Sequence, residues 1–85
     1  MTLRLLWAPR AAEERDGLDT VTRARVLTAI ERLAETGAGD VKALKGSPGL
    51  YRLRVGDWRV VFALDSARTD LVVERVAHRR EVYRG

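Results

Sequence analysis

The chain has no cysteine among its 85 residues. That excludes disulfides, cysteine nucleophiles and thiolate zinc sites, and it fits a reducing compartment. Histidine occurs once, at His78; it is the only side-chain type whose unperturbed pKa, about 6.5, lies near neutrality. Long apolar runs are also missing, since none approaches the ~20 residues that span a bilayer. The opening MTLRLLWAPR lacks the basic start and long apolar core of a signal peptide and reads as mature structure. No repeat or low-complexity segment is visible. What remains is ordinary for a globular protein, 46% hydrophobic and 33% charged, and the length suits one domain over residues 1–85. The net charge of +4 favours polyanionic partners, nucleic acid first and acidic protein second.

The most informative stretch is Leu50 to Leu64, LYRLRVGDWRVVFAL. Apolar and polar residues alternate on both sides of Gly56-Asp57, which predicts two half-buried strands. A glycine first in a two-residue loop suits the primed hairpin turns. With that loop, Val55 faces Trp58, Arg54 faces Arg59, Leu53 faces Val60 and Arg52 faces Val61. Tyr51, Leu53, Val55, Trp58, Val60 and Phe62 then share one face, where packing is their expected role. Arg52, Arg54 and Arg59 share the other. Like charges directly opposite each other destabilise a sheet, so the pattern points to an anionic partner.

Around this hairpin the chain reads as follows. Thr2 to Trp7 is a first strand, apolar enough to be covered on both sides. Pro9 suits a helix start, and a short helix runs from Arg10 to about Asp16, ended by Gly17. A second helix begins at the cap residues Asp19 and Thr20 and runs to about Thr36, with Gly37 as its stop. Val26, Leu27, Ile30, Leu33 and Ala34 form its apolar stripe, extended upstream by Val21 and Leu18. Ala38 to Gly49 is a glycine-rich connection in which Leu44 anchors to the core while Lys42 and Lys45 project. Asp65 to Asp70 is a polar turn, Leu71 to Ala77 is an interior strand, and His78 to Gly85 is a tail. The order β-α-α-β-β-β predicts an α+β fold: a small, mostly antiparallel sheet with two helices packed on one face and the arginines on the other.

The stretch LKGSPGLYRLRVGDWRVVFAL followed by AHRREVYRG resembles the RelE/ParE toxin superfamily, on its RelE side. The shared pattern is a Leu-Lys/Arg-Gly loop, then Tyr-Arg/Lys-x-Arg/Lys, a short turn, an aromatic-Arg-Val/Leu strand and a terminal His-Arg…Tyr. The resemblance implies a curved sheet with helices on one side, and a type II toxin that cleaves mRNA in the ribosomal A site. It implies a cognate antitoxin, the ribosome with its mRNA as partners, operator DNA only through the antitoxin complex, a cytoplasmic location, and no metal or cofactor. Carried over, Arg52, Arg54, Arg59, Arg79 and Tyr83 match the pattern's basic and tyrosine positions, and His78 matches one that is often basic or histidine. Two other functions stay open: a ParE-like poison of DNA gyrase, and a catalytically weak toxin acting mainly as corepressor with its antitoxin.

Metal-free RNA cleavage needs a base for the 2′-OH, charge stabilisation on the phosphorane and an acid for the leaving 5′-oxygen. Arginine forks suit the second task. They cannot do the first, because a guanidinium is effectively never deprotonated. His78 or Tyr83 is the expected base and Arg79 the stabiliser of the leaving group; Glu81, Lys42 and Lys45 are the other candidates. Lys42, Lys45, Arg80 and Arg84 are expected to meet RNA phosphates, or else to be solvated surface charges. Tyr83 can equally dock the tail or stack on a base.

Overall fold

The structure, a computed structural model, describes residues 2–82. Its elements run β1 (Arg4–Trp7), α1 (Pro9–Asp16), α2 (Thr20–Thr36), β2 (Val41–Ala43), β3 (Leu50–Val55), β4 (Trp58–Leu64), β5 (Asp70–His78) and α3 (Arg79–Val82). The strands form one sheet in the order β1-β5-β4-β3-β2. Only β1 and β5 run parallel; the other pairs are antiparallel. The architecture is the expected α+β one, with a fifth strand and a third helix added.

Local chemistry sets the helix ends. Pro9 occupies the first turn of α1, where its missing N–H costs nothing. Asp19 caps α2 by accepting from the Thr22 backbone N–H at 3.1 Å. Gly37, at φ 78°, ends α2 in the left-handed region and donates back to the Leu33 carbonyl. From α2, Val26, Ile30, Leu33 and Ala34 are buried against Leu53, Val60, Phe62, Leu71, Val73 and Val76 of the sheet. The core thus lies between α2 and one sheet face, as the helical spacing required.

Four expectations change. The first strand is not covered on both sides: β1 is an edge, and Leu6 is 38% exposed. Val21 does not extend the buried stripe of α2 but stands 69% exposed. The connection between α2 and β3 contains a strand, β2, whose three residues are too few to show an alternation. Val41 rather than Leu44 is its contact with the core, because Val41 pairs with the buried Leu53.

The sheet is bent at one place. Its register steps from Val61↔Arg75 to Phe62↔Val73, which leaves Glu74 as an extra residue in β5. Such a bulge increases local twist. Beyond the end of β1, α1 takes over the edge of β5. There Glu14 accepts from the Val76 backbone N–H at 2.9 Å and from Arg75 at 3.1 Å, so the edge donor is satisfied and the bulge held.

Candidate active site

The hairpin has the register that its alternation implies: Arg52↔Val61, Leu53↔Val60, Arg54↔Arg59 and Val55↔Trp58. Gly56 has φ 59° while Asp57 is not in the positive-φ region, the pattern of a type II′ turn. A side chain at Gly56 would also meet Arg25, whose Nη2 lies 3.1 Å from the position of a Cβ there. Glycine is thus favoured at this position by the turn, while the arginine over it would have to give by a few tenths of an ångström.

Strand pairing sets the composition of the free face. Lys42 of β2 stands opposite Arg52, Val61 continues that row, and Arg75 follows on β5. The next row is Arg54, Arg59 and Ala77. Arg52 and Arg59 are diagonal neighbours, roughly 7–8 Å apart at their Cβ positions. Arg75 is turned to Glu14 and is structurally engaged.

The like-charge opposition is relieved by divergence. Arg54 reaches the rim of the sheet, with Nη1 3.9 Å from Asp40, and its backbone N–H donates to the Asp40 carbonyl. Arg59 folds the other way. Its Nη1 donates to the carbonyls of Gly56 at 2.8 Å and Trp58 at 2.9 Å. It is 7% exposed, the one buried charged residue among the described residues. Those carbonyls leave it incompletely paired: Arg59 Nε and Arg52 Nη1 are buried with no partner among the described residues. A buried donor left unmade costs about 1–3 kcal/mol, more when charged. Two of them on one face concentrate positive charge and N–H donors there.

The same turn holds the start of the tail. The Arg79 backbone N–H donates to the Asp57 carbonyl at 2.8 Å, and Arg79 Nε lies 3.9 Å from the Asp57 carboxylate. Arg59 and Arg79 are thereby tied to consecutive residues of one two-residue loop. Asp57 and Asp40, the carboxylates that orient Arg79 and Arg54, went unnoticed in the sequence. Only the register brings them beside the arginines, although Asp57 in the loop itself was a local clue.

His78 does not join this group. It pairs with Trp58, so both side chains lie on the helix-bearing face, where Trp58 packs against the core. Their rings meet edge to face at 5.6 Å, and His78 Nδ1 accepts from the Arg80 backbone N–H at 3.3 Å. His78, a base expected from the sequence, thus stands apart from the arginines, because strand parity puts it across the sheet. Tyr51 and Phe62 stack at 5.6 Å on the same helix-bearing side. Lys42, Lys45 and Arg80 are exposed. Tyr83 and Arg84 lie outside the described residues. No helix among the described residues is long and apolar enough to cross a membrane.

Similar folds are known. The RelB–RelE antitoxin–toxin complex of Methanococcus jannaschii has a chain 24% identical to this one, covering 92% of this chain and 94% of that one at a TM-score of 0.75. In the toxin–antitoxin complex RelBE2 of Mycobacterium tuberculosis the values are 22%, 92% and 99%, and 0.79. In the YoeB/ParE toxin of Agrobacterium tumefaciens they are 18%, 89% and 98%, and 0.76. No curated protein matches the chain. The model of the family described as the ParE toxin of type II toxin–antitoxin system, parDE, matches residues 5–83. That match spans α1 and α2, the hairpin with its arginines, β5 and α3, and the chain belongs to this toxin family of the RelE/ParE superfamily.

Proposed function

We propose that the arginine face binds an mRNA phosphate on the ribosome and promotes cleavage by the neighbouring 2′-OH. The observation that carries this reading is the pair of buried, unpaired donors, Arg59 Nε and Arg52 Nη1. A phosphate that draws the two side chains outward would satisfy both, and charge-assisted bonds from arginine to phosphate are the strong kind. Fixed donors of this sort act most where charge develops, on the phosphorane, and each is worth roughly 2.7–4 kcal/mol. Arg54 adds a mobile cation at the rim. Arg79, tied to the same turn as Arg59, stabilises the leaving 5′-oxygen. With His78 across the sheet, Lys42 beside Arg52 and Tyr83 remain for proton transfer. An amine and a phenol can each cycle a proton, which a guanidinium cannot.

As a type II toxin, the chain is neutralised by a cognate antitoxin protein; the complexes formed by the RelE proteins of similar fold support this. A second reading, poisoning of DNA gyrase without RNA chemistry, is favoured by the matching family model being that of ParE.

One experiment separates the two. Wild type, Arg52→Ala and Arg59→Ala are compared in a translation extract by primer extension on a defined mRNA. Cuts at A-site codons that fade in both variants support the nuclease. Intact mRNA, with gyrase-dependent DNA breaks instead, sinks it.

A further inference from the structure

Two consecutive residues of β5 turn to the arginine face. Val73 and Val76 are both buried in the core, although residues three apart in an unbroken strand point to opposite sides. The bulge makes up the difference. Glu74 and Arg75 together oppose Val61, and both leave the strand on the side away from the helices. The row across that face is then Lys42, Arg52, Val61 and the pair Glu74-Arg75. Glu74 therefore enters the arginine face as a carboxylate. It stands two strands from Arg52, at about 10 Å between backbones, with the apolar Val61 between them. Bulges are over-represented beside active sites, where they re-aim a side chain.

The carboxylates around it are taken. Asp70, on the same face by alternation, binds Arg4 through two bonds of 3.0 Å. Glu14 binds Arg75 at 3.1 Å and the Val76 backbone N–H at 2.9 Å. Asp40 and Asp57 each lie 3.9 Å from an arginine at the rim. Glu74 is half-buried and forms no ion pair among the described residues. Glu14 contributes to this: it holds Arg75, the cation next to Glu74 in sequence, at the edge of the sheet. Glu74 is left as a carboxylate with cations across its row and none closed upon it.

We propose that Glu74 is the base that takes the proton of the attacking 2′-OH. The inference rests on the nuclease reading above and supplies what the arginines lack, since a carboxylate accepts a proton and a guanidinium does not. With the phosphate held by Arg52 and Arg59, the row has Glu74 at one end and Lys42 at the other. In-line displacement sets the attacking and leaving oxygens on opposite sides of phosphorus, so base and acid must approach from opposite sides too. As the 2′-O–P bond forms, Glu74 takes the hydroxyl proton. As the P–O5′ bond breaks, its electron pair stays on the 5′-oxygen, which the Lys42 ammonium protonates. The products are a 2′,3′-cyclic phosphate and a 5′-hydroxyl end. Solvent then removes the proton from Glu74 and returns one to Lys42.

The test measures single-turnover cleavage of a defined mRNA on programmed ribosomes by the full chain. Glu74→Gln keeps the shape and removes the proton acceptor; Glu35→Gln makes the same charge change on the outer side of α2. Glu74→Gln should lose about 10²–10⁴-fold in rate, with ribosome binding and thermal unfolding as in wild type, and Glu35→Gln should cut normally. Glu74→Ala opens space for a small carboxylate, and added formate should raise its rate in proportion to concentration while leaving wild type unchanged. A carboxylate that served only to offset arginine charge would give the opposite result, because its removal would tighten the hold on phosphate. Glu74→Gln cutting at the wild-type rate or faster therefore overturns the assignment and leaves the nuclease reading standing. A slow Glu74→Gln that binds ribosomes poorly, or a slow Glu74→Ala that formate does not restore, overturns it in favour of a structural role. Intact mRNA with the wild-type chain removes the nuclease reading itself, and Glu74 as its base.

Discussion

Two turns join the three long strands, and they are built on opposite principles. The β4–β5 turn closes on itself. The Asp65 carboxylate accepts from the Thr69 backbone N–H at 2.7 Å, the Thr69 hydroxyl at 2.7 Å and the Asp70 backbone N–H at 2.9 Å. Asp70 in turn takes Arg4 through two bonds of 3.0 Å, which ties the edge strand β1 to its neighbour. In the β3–β4 turn the polarity is reversed. The Gly56 carbonyl, with that of Trp58 just past the loop, accepts from the Arg59 side chain, and the Asp57 carbonyl accepts from the Arg79 backbone N–H at the far end of β5. Arg59 and its diagonal neighbour Arg52 keep buried N–H groups to spare among the described residues. One turn uses a carboxylate to complete local hydrogen bonding; the other uses backbone to aim charge and leaves it incomplete. Satisfied groups contribute to stability, whereas unsatisfied ones on a shared face indicate where a ligand belongs.

Removing the aimed charge should have the largest effect. Arg59→Met keeps the length of the stem, removes the guanidinium and spares the fold a buried donor with no acceptor. Replacing a buried charge by an apolar residue of similar shape is often neutral or stabilising. The expected result is a loss of A-site cleavage of about 10²-fold or more, with thermal unfolding at or above the wild-type temperature. A variant that both unfolds early and cuts normally would reverse the assignment of roles between the two turns.

Next comes the self-closed turn. Asp65→Asn keeps the shape but weakens three bonds made to a charged acceptor, so unfolding should occur several degrees lower while cleavage is unchanged. Its pH dependence has a defined sign. Hydrogen bonds from the Asp70 backbone and from Thr69 hold the Asp65 carboxyl below its ordinary value. The unfolded chain therefore takes up that proton first as the pH falls. The contribution is complete above the unfolded value of about 3.9 and is lost as the pH drops through the lower folded value. Thermal melts between pH 6 and the acid limit, on wild type and Asp65→Asn, check this: the wild type should lose more of its stability over that range. Equal acid sensitivity would show that the turn is held by its backbone alone.

Much of this contrast could be read in the sequence. Period-2 alternation around Gly56-Asp57 fixed the hairpin register residue by residue, since a one-residue slip would have put the arginines in the core. Helical spacing and caps placed α2 to within a residue. Three residues of β2 carry no periodicity, so that strand emerged only from its pairing with β3. The burial of Arg59 was hidden for a different reason. Alternation tells which face a side chain takes, not that it will fold back onto the carbonyls of its own turn. Asp40 and Asp57 were hidden likewise, because their partners are set by the rim of the sheet and by the end of β5.

The smallest effect tests the separation of faces itself. His78 has the side-chain chemistry most suited to a general base, and the sequence pattern sets it beside Arg79. In the fold it caps the edge of Trp58 on the helix-bearing face. Losing a working general base costs about 10²–10⁴-fold in rate, whereas losing an edge-to-face contact costs roughly 0.5–1.5 kcal/mol of stability. His78→Ala should therefore cut mRNA at the wild-type rate and melt slightly earlier. The two outcomes lie orders of magnitude apart in one assay. A rate loss in the first range would mean that the tail reaches around the end of the sheet during catalysis, and that the turn holding Arg79 is a hinge rather than a fixed mount.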